Sequence, residues 1–210
     1  MNDTSILDTL PVEQRLALAY APSVSRGGWT AGLALDVRLA RIVLSSRETM
    51  LGQIRLAWWR DRLAADAPPG GEPLLRLIHA SQVSRRALSA LVDAWEEVLL
   101  DADGQHAEPL EHIAAARAGW ITGLGGTGDA DAGPAAMAWA LADMSRMPSP
   151  HGALAQDLAE RADWRRPRVS RPLRPLAILH ALARRSRGRA GSQGGPATLL
   201  VAARVGLLGV

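Results

Sequence analysis

Residues 20–63 read YAPSVSRGGWTAGLALDVRLARIVLSSRETMLGQIRLAWWRDRL, two apolar-rich segments separated by a short polar break. Apolar residues return at intervals of three and four, which predicts two long helices over 29–46 and 48–65. At about 100° per residue, Trp29, Leu33, Ala40 and Val43 share one stripe of the first helix, and Asp36 falls inside it. On the second helix Met50, Ile54, Ala57 and Trp58 form a stripe with Asp61 in its middle. Each helix therefore carries one carboxylate on a face expected to be buried. Such a group needs a partner or takes up a proton. Arg38, Arg41, Arg55 and Arg62 are near enough in sequence to supply one. Two readings follow: internal salt bridges that hold the helix hairpin, or acids that line a central pocket.

Working outward, the same periodicity recurs along the chain. A short helix is predicted over 11–20, opened by Pro11 and carrying Val12, Leu16 and Tyr20. The segment DAPPGGEP (66–73) is a breaker. Beyond it, 81–100 places Leu88, Leu91, Val92, Trp95, Val98 and Leu99 on one face. Further helices are expected over 109–124, 134–147, 152–164 and 172–187, with a last apolar segment over 196–210. No sustained alternation of β-branched residues predicts a strand. The expected fold is all-α, a single helical-bundle domain over 1–210 with an arginine-rich C-terminal part, 161–210.

Composition bounds the function. The apolar fraction of 48% and charged fraction of 21% are those of a globular chain of 210 residues, long enough to bury a full core. The absence of cysteine excludes disulfides and thiolate chemistry. MNDTSILDTL has no signal-peptide pattern, and no apolar run is long enough to span a bilayer, so a cytoplasmic protein is expected. The net charge of +3 conceals an asymmetry: residues 1–160 carry 13 Arg against 20 acids, residues 161–210 carry 11 Arg against Asp163 alone. The basic end either neutralises the acidic remainder or meets a phosphate, an anionic membrane surface or an acidic partner. Likewise the final apolar segment either packs back on the bundle or makes a peripheral membrane contact.

LALDVRLARIVL followed by GQIRLAWWRDRL resembles the first core helices of the squalene/phytoene synthase family, and RPLRPLAILHALARR resembles a later segment of the same group. The resemblance is closest over 15–65, weaker over 110–146 and faint over 171–187. It implies the isoprenoid synthase type of bundle and an enzyme that joins two prenyl diphosphates. It also implies two aspartate-rich motifs holding magnesium diphosphate. The positions aligned with the first motif are Ala40, Arg41 and Leu44. In the second, ALADMSRM places Asp143 and Arg146 near the family's asparagine and arginine, while the acids become Met147 and His151. Tyr20 and Arg26 resemble the tyrosine-to-arginine segment before the first motif, and Arg38 matches an arginine just ahead of it.

Ionising an allylic diphosphate needs metal-held carboxylates to neutralise the leaving group. Their loss matches an aspartate-poor branch of the family, which includes a synthase-like assembly factor of complex I. The resemblance thus implies a non-catalytic domain that binds a protein partner or an isoprenoid lipid, without a cofactor. The alternative is an active prenyl-diphosphate transferase with displaced magnesium ligands, recruiting Asp36, Asp61 and Asp143 across the cavity. The candidate pocket or diphosphate-facing set is Tyr20, Arg26, Asp36, Arg38, Arg41, Arg55, Asp61, Asp143 and Arg146.

Other chemistries find little support. GLGGTGDADAG lacks the lysine and serine of a phosphate-binding loop, and Asp129 and Asp131 within it read as a solvated turn. The five histidines show no metal-ligand spacing. No nucleic acid is expected as a partner, since the C-terminal arginines lack aromatic interleaving apart from Trp164.

Overall fold

The computed structural model describes residues 6–67, 70–187 and 201–205, and among these it is helical with no strand. Helix α1 spans Val12–Ala19, α2 Ser23–Ser45, α3 Thr49–Ala64, α4 Pro73–Ala80 and α5 Arg85–Leu100. Then come α6, Glu108–Thr122, α7, Ala132–Met144, and α8, Gly152–Arg161. A 3-10 turn at Arg171–Leu173 leads into α9, Arg174–Ser186, and residues 201–205 are again helical. The all-α expectation is met. No helix among the described residues is long and apolar enough to cross a membrane.

Local chemistry sets the boundaries. Pro11 and Pro22 stand at the N-caps of α1 and α2, where the missing N–H costs nothing. Ser84 accepts from the Ala87 amide at 3.2 Å to open α5, and Glu72 does the same for Leu74 in α4. The eight-residue α4 was not among the expected helices, although Leu74, Leu75 and Ile78 recur at helical spacing and form its buried face. Helix α2 starts six residues before the expected Trp29, running straight through Gly27-Gly28. A Cβ on Gly28 would stand 2.6 Å from Leu124, and one on Gly32 2.6 Å from the Trp120 ring. The glycines thus let α6 approach α2 closely. Gly32→Ala is expected to destabilise the fold by about 1–3 kcal/mol through overpacking against Trp120. Chemical denaturation checks this, and a neutral result would mean that Trp120 has room to move.

Helix α2 is the hub, packed against α1, α3, α4, α5 and α6. Helix α7, AGPAAMAWALADM, is apolar on almost every side and is buried accordingly between α6, α8 and α9. All six residues of the expected α5 stripe are buried, Leu88, Leu91, Val92, Trp95, Val98 and Leu99. Trp29 and Trp120 meet edge-to-face across α2 and α6, with centroids 5.4 Å apart.

Two wheels are turned from their expected orientation. On α1, Val12 is exposed and the buried face is Gln14, Ala17 and Leu18. On α3 the buried residues are Gly52, Leu56, Trp59 and Leu63, whereas Met50 is 66% and Ile54 59% exposed. Asp61 lies on that outer side, so it is a solvated carboxylate and not a buried one. Helix α3 carries two apolar stripes, and the one containing Leu56 and Trp59 wins because it meets α5. Arg60 then clasps α5 from the rim, 2.6 Å from both Asp93 and Glu96.

Candidate functional site

The centre of the bundle is occupied by charge and tryptophan. Asp36 on α2 is 1% exposed, and Arg117 on α6 is fully buried. Arg117 Nη2 stands 2.9 Å from Asp36 Oδ2, a charge contact without good hydrogen-bond alignment. Its Nη1 donates to Asp143 Oδ2 at 3.1 Å and to the Ala140 carbonyl at 3.3 Å. The indole of Trp95 donates to Asp36 Oδ1 at 2.8 Å. Arg146 donates to Asp143 Oδ1 at 3.0 Å. All four carboxylate oxygens are thereby engaged. The guanidinium also sits 5.7 Å from the Trp95 ring and 5.5 Å from that of Trp139, where aromatic faces favour a cation.

Burial pushes the Asp36 carboxyl above its ordinary value; Arg117 and then Trp95 pull it down without overcoming burial. Burial also opposes charge on Arg117, but Asp36 and Asp143 outweigh it and hold the guanidinium above its ordinary value. The arrangement keeps a buried cation fixed between the buried Asp36 and the partly buried Asp143. It has no free carboxylate oxygen with which to receive a metal ion, so the acids present do not fit the magnesium diphosphate site of the resemblance. Among the described residues, no group of three or more His, Asp and Glu is placed to hold a metal.

The structure joins Asp36, Asp143 and Arg146 through Arg117, and the other candidates lie apart. Tyr20 is half-buried at the end of α1. Arg26 is exposed and donates to the Ala21 carbonyl at 2.9 and 3.2 Å, closing the turn before α2. Arg38 and Arg41 border a small cleft with Glu72. Arg55 and Asp61 are exposed on α3. Arg117 was missed by the sequence reading. Its signal was a lone charge within IAAARAGWI, an otherwise apolar helical run.

A second concentration of charge lies at the surface, where α9, the segment before it and residues 201–205 border a groove of about 1100 Å³. The acids of the glycine loop, expected to be a solvated turn, hold this region together. Asp129 accepts from the Ser170 hydroxyl at 2.7 Å and from the Ser170 and Gly126 amides. Partial burial pushes its carboxyl up, but the Ser170 hydroxyl and these amides outweigh it and hold it below the ordinary value. Asp131 accepts from the Arg168 amide at 2.9 Å. From the inner side, Trp29 Nε1 and Ser25 Oγ both donate to the Pro172 carbonyl, at 2.9 and 3.1 Å. Of the apolar segment 196–210, residues 201–205 are described, and Ala202 is buried in the core.

Fold and charge network together define an all-α protein built around an interior Asp–Arg–Asp cluster. No family model, no curated protein and no solved structure matches the chain.

Proposed function

We propose that this chain is a squalene/phytoene synthase-like domain that no longer condenses prenyl diphosphates and acts by binding a partner protein or an isoprenoid lipid. The observation that carries the reading is Arg117. Its guanidinium already neutralises Asp36 and Asp143, the two acids nearest to serving as displaced metal ligands. A magnesium ion would have to evict a fully buried cation held between two indoles. Removing one partner of a buried pair costs about 3–5 kcal/mol. Asp61, the third acid of the displaced-ligand alternative, is exposed on α3. Trp29, Trp95, Trp120 and Trp139 are all buried, so indole rings fill much of the interior.

A protein partner suits the surface better than an isoprenoid suits the centre. The outer face of α3 presents Met50, Leu51, Ile54 and Trp58, with Arg47, Arg55 and Arg62 around them. That combination complements an apolar helix edged with carboxylates.

The reading is tested by calorimetric titration with a farnesyl diphosphate analogue, with and without magnesium, beside an assay for pyrophosphate release from farnesyl diphosphate. The expected result is no pyrophosphate release and no dependence of binding on magnesium. Magnesium-dependent binding that disappears in Asp36→Asn would restore the active-transferase alternative, with Asp36 and Asp143 as metal ligands.

A further inference from the structure

We propose that the groove bordered by α9, residues 166–171 and residues 201–205 is a binding site for a phosphate-bearing amphiphile, a multiply charged phosphate head attached to an apolar group. Seven arginines line it, among them Arg171, Arg174, Arg184 and Arg204. None of the seven forms an ion pair among the described residues. Asp129 is the one acid in the lining, and both its oxygens are engaged by Ser170 and Gly126. The chain carries no Asp or Glu after Asp163, so neutralisation from its own C-terminal side chains is excluded by composition. Seven arginines against the single carboxylate of Asp129 leave the groove strongly positive, and taking up an anion relieves the repulsion. Guanidinium groups match phosphate in particular, because their forked donors meet two oxygens at once.

The other wall defines the rest of the ligand. Val169, Ala177, Ala181, Val201 and Val205 face the same space, so part of what binds is apolar. His180 borders the groove as well, and its buried Nε2 has no hydrogen-bond partner among the described residues. The frame is fixed from several sides. The Pro172 carbonyl is held by Trp29 and Ser25, and Ser170 and Arg168 are held by Asp129 and Asp131. His180 stacks on Trp164 with centroids 5.0 Å apart, and Arg187 covers the same ring at 4.6 Å. The arginines are therefore presented from a preorganised surface, which lowers the ordering cost of binding. A volume of about 1100 Å³ is at the upper end of small-ligand pockets. The inference is independent of catalysis at the centre of the bundle, since no residue of the Asp36 network lines the groove.

The test uses the full chain and two sources of the same chemistry. Free tripolyphosphate is titrated calorimetrically in low salt without magnesium, and co-sedimentation is measured with vesicles containing phosphatidic acid against pure phosphatidylcholine. The expected result is saturable binding in at least one arm, weakened at least tenfold in Arg171→Gln/Arg174→Gln/Arg184→Gln and less than twofold in Arg15→Gln/Arg76→Gln/Arg86→Gln. Those three exposed arginines lie outside the groove and their loss removes the same charge, so they report the effect of net charge alone. Circular dichroism establishes that both variants are folded. Tripolyphosphate binding identifies a soluble ligand as sufficient; binding to phosphatidic acid vesicles alone identifies a lipid headgroup, and either supports the site. The proposal is overturned by no binding in both arms, by equal weakening in Arg15→Gln/Arg76→Gln/Arg86→Gln, or by an affinity for oligonucleotides that rises with their length and exceeds that for tripolyphosphate. Magnesium-independent binding here leaves the question of catalysis to the pyrophosphate-release assay.

Discussion

Replacing Arg117 by methionine is expected to lower the unfolding free energy by about 3–5 kcal/mol, read from urea denaturation of the variant against the parent. The side chain is similar in length and apolar, so little volume is lost. What is lost is the cation between Asp36 and Asp143. Asp36 has no solvent to turn to and keeps only the Trp95 indole. The penalty has a defined pH dependence. Burial already raises the Asp36 carboxyl above its ordinary value of 3.8 in the folded protein, and removing Arg117 takes away the largest opposing influence. A folded-state pKa raised above the unfolded one contributes stability at low pH that disappears as pH rises through the folded value. The variant is therefore expected to be closer to the parent in acid and to fall behind as pH rises. Asp36→Asn combined with Arg117→Met should recover part of the loss, because the orphaned charge goes with the cation. A penalty below about 1 kcal/mol, independent of pH, would mean that water reaches the network.

Trp29→Ala is expected to cost about 3–5 kcal/mol, the usual range for deleting a buried aromatic side chain. Trp29 is fully buried, meets Trp120 edge-to-face and donates to the Pro172 carbonyl. Its loss opens a cavity between α2 and α6 and releases the segment leading into α9. A Trp29→Phe variant separates these effects by keeping most of the packing and removing the donor. It is expected to cost about 1–2 kcal/mol, since Ser25 still reaches the same carbonyl. The distinguishing measurement is amide hydrogen exchange over residues 168–173. Both substitutions should accelerate it, and unchanged exchange would show that the Asp129 and Asp131 contacts suffice to hold the segment.

The helical character of this chain was legible from spacing alone, because periodicity and the punctuation by Pro11 and 66–73 act locally. The face of α5 was legible too, since its apolar residues form one stripe. Helix α3 was not, because it has two. A wheel drawn from Met50, Ile54 and Trp58 is as regular as one drawn from Leu56, Trp59 and Leu63, and only contact with α5 distinguishes them. Asp61 went to the wrong side with its stripe. The start of α2 was set six residues too late, at Trp29; the helix runs through Gly27 and Gly28, and Gly28 serves close packing against Leu124.

Within the charged interior, the sequence by itself determined that Asp36 sits on an apolar face and therefore needs a partner. The requirement follows from the cost of desolvating a carboxylate, which holds wherever the group is buried. Which cation answers it was decided by tertiary structure alone. Arg38 and Arg41 are two and five residues away along the same helix, yet the partner is Arg117, brought from α6 by the packing of three helices. Neighbours on one helix point outward at different angles, so nearness in sequence does not become nearness in the core. The sequence also determined that the last fifty residues carry eleven arginines against the single acid Asp163. Only the fold brought seven of those arginines to one groove, because that requires α9, the loop before it and residues 201–205 to meet.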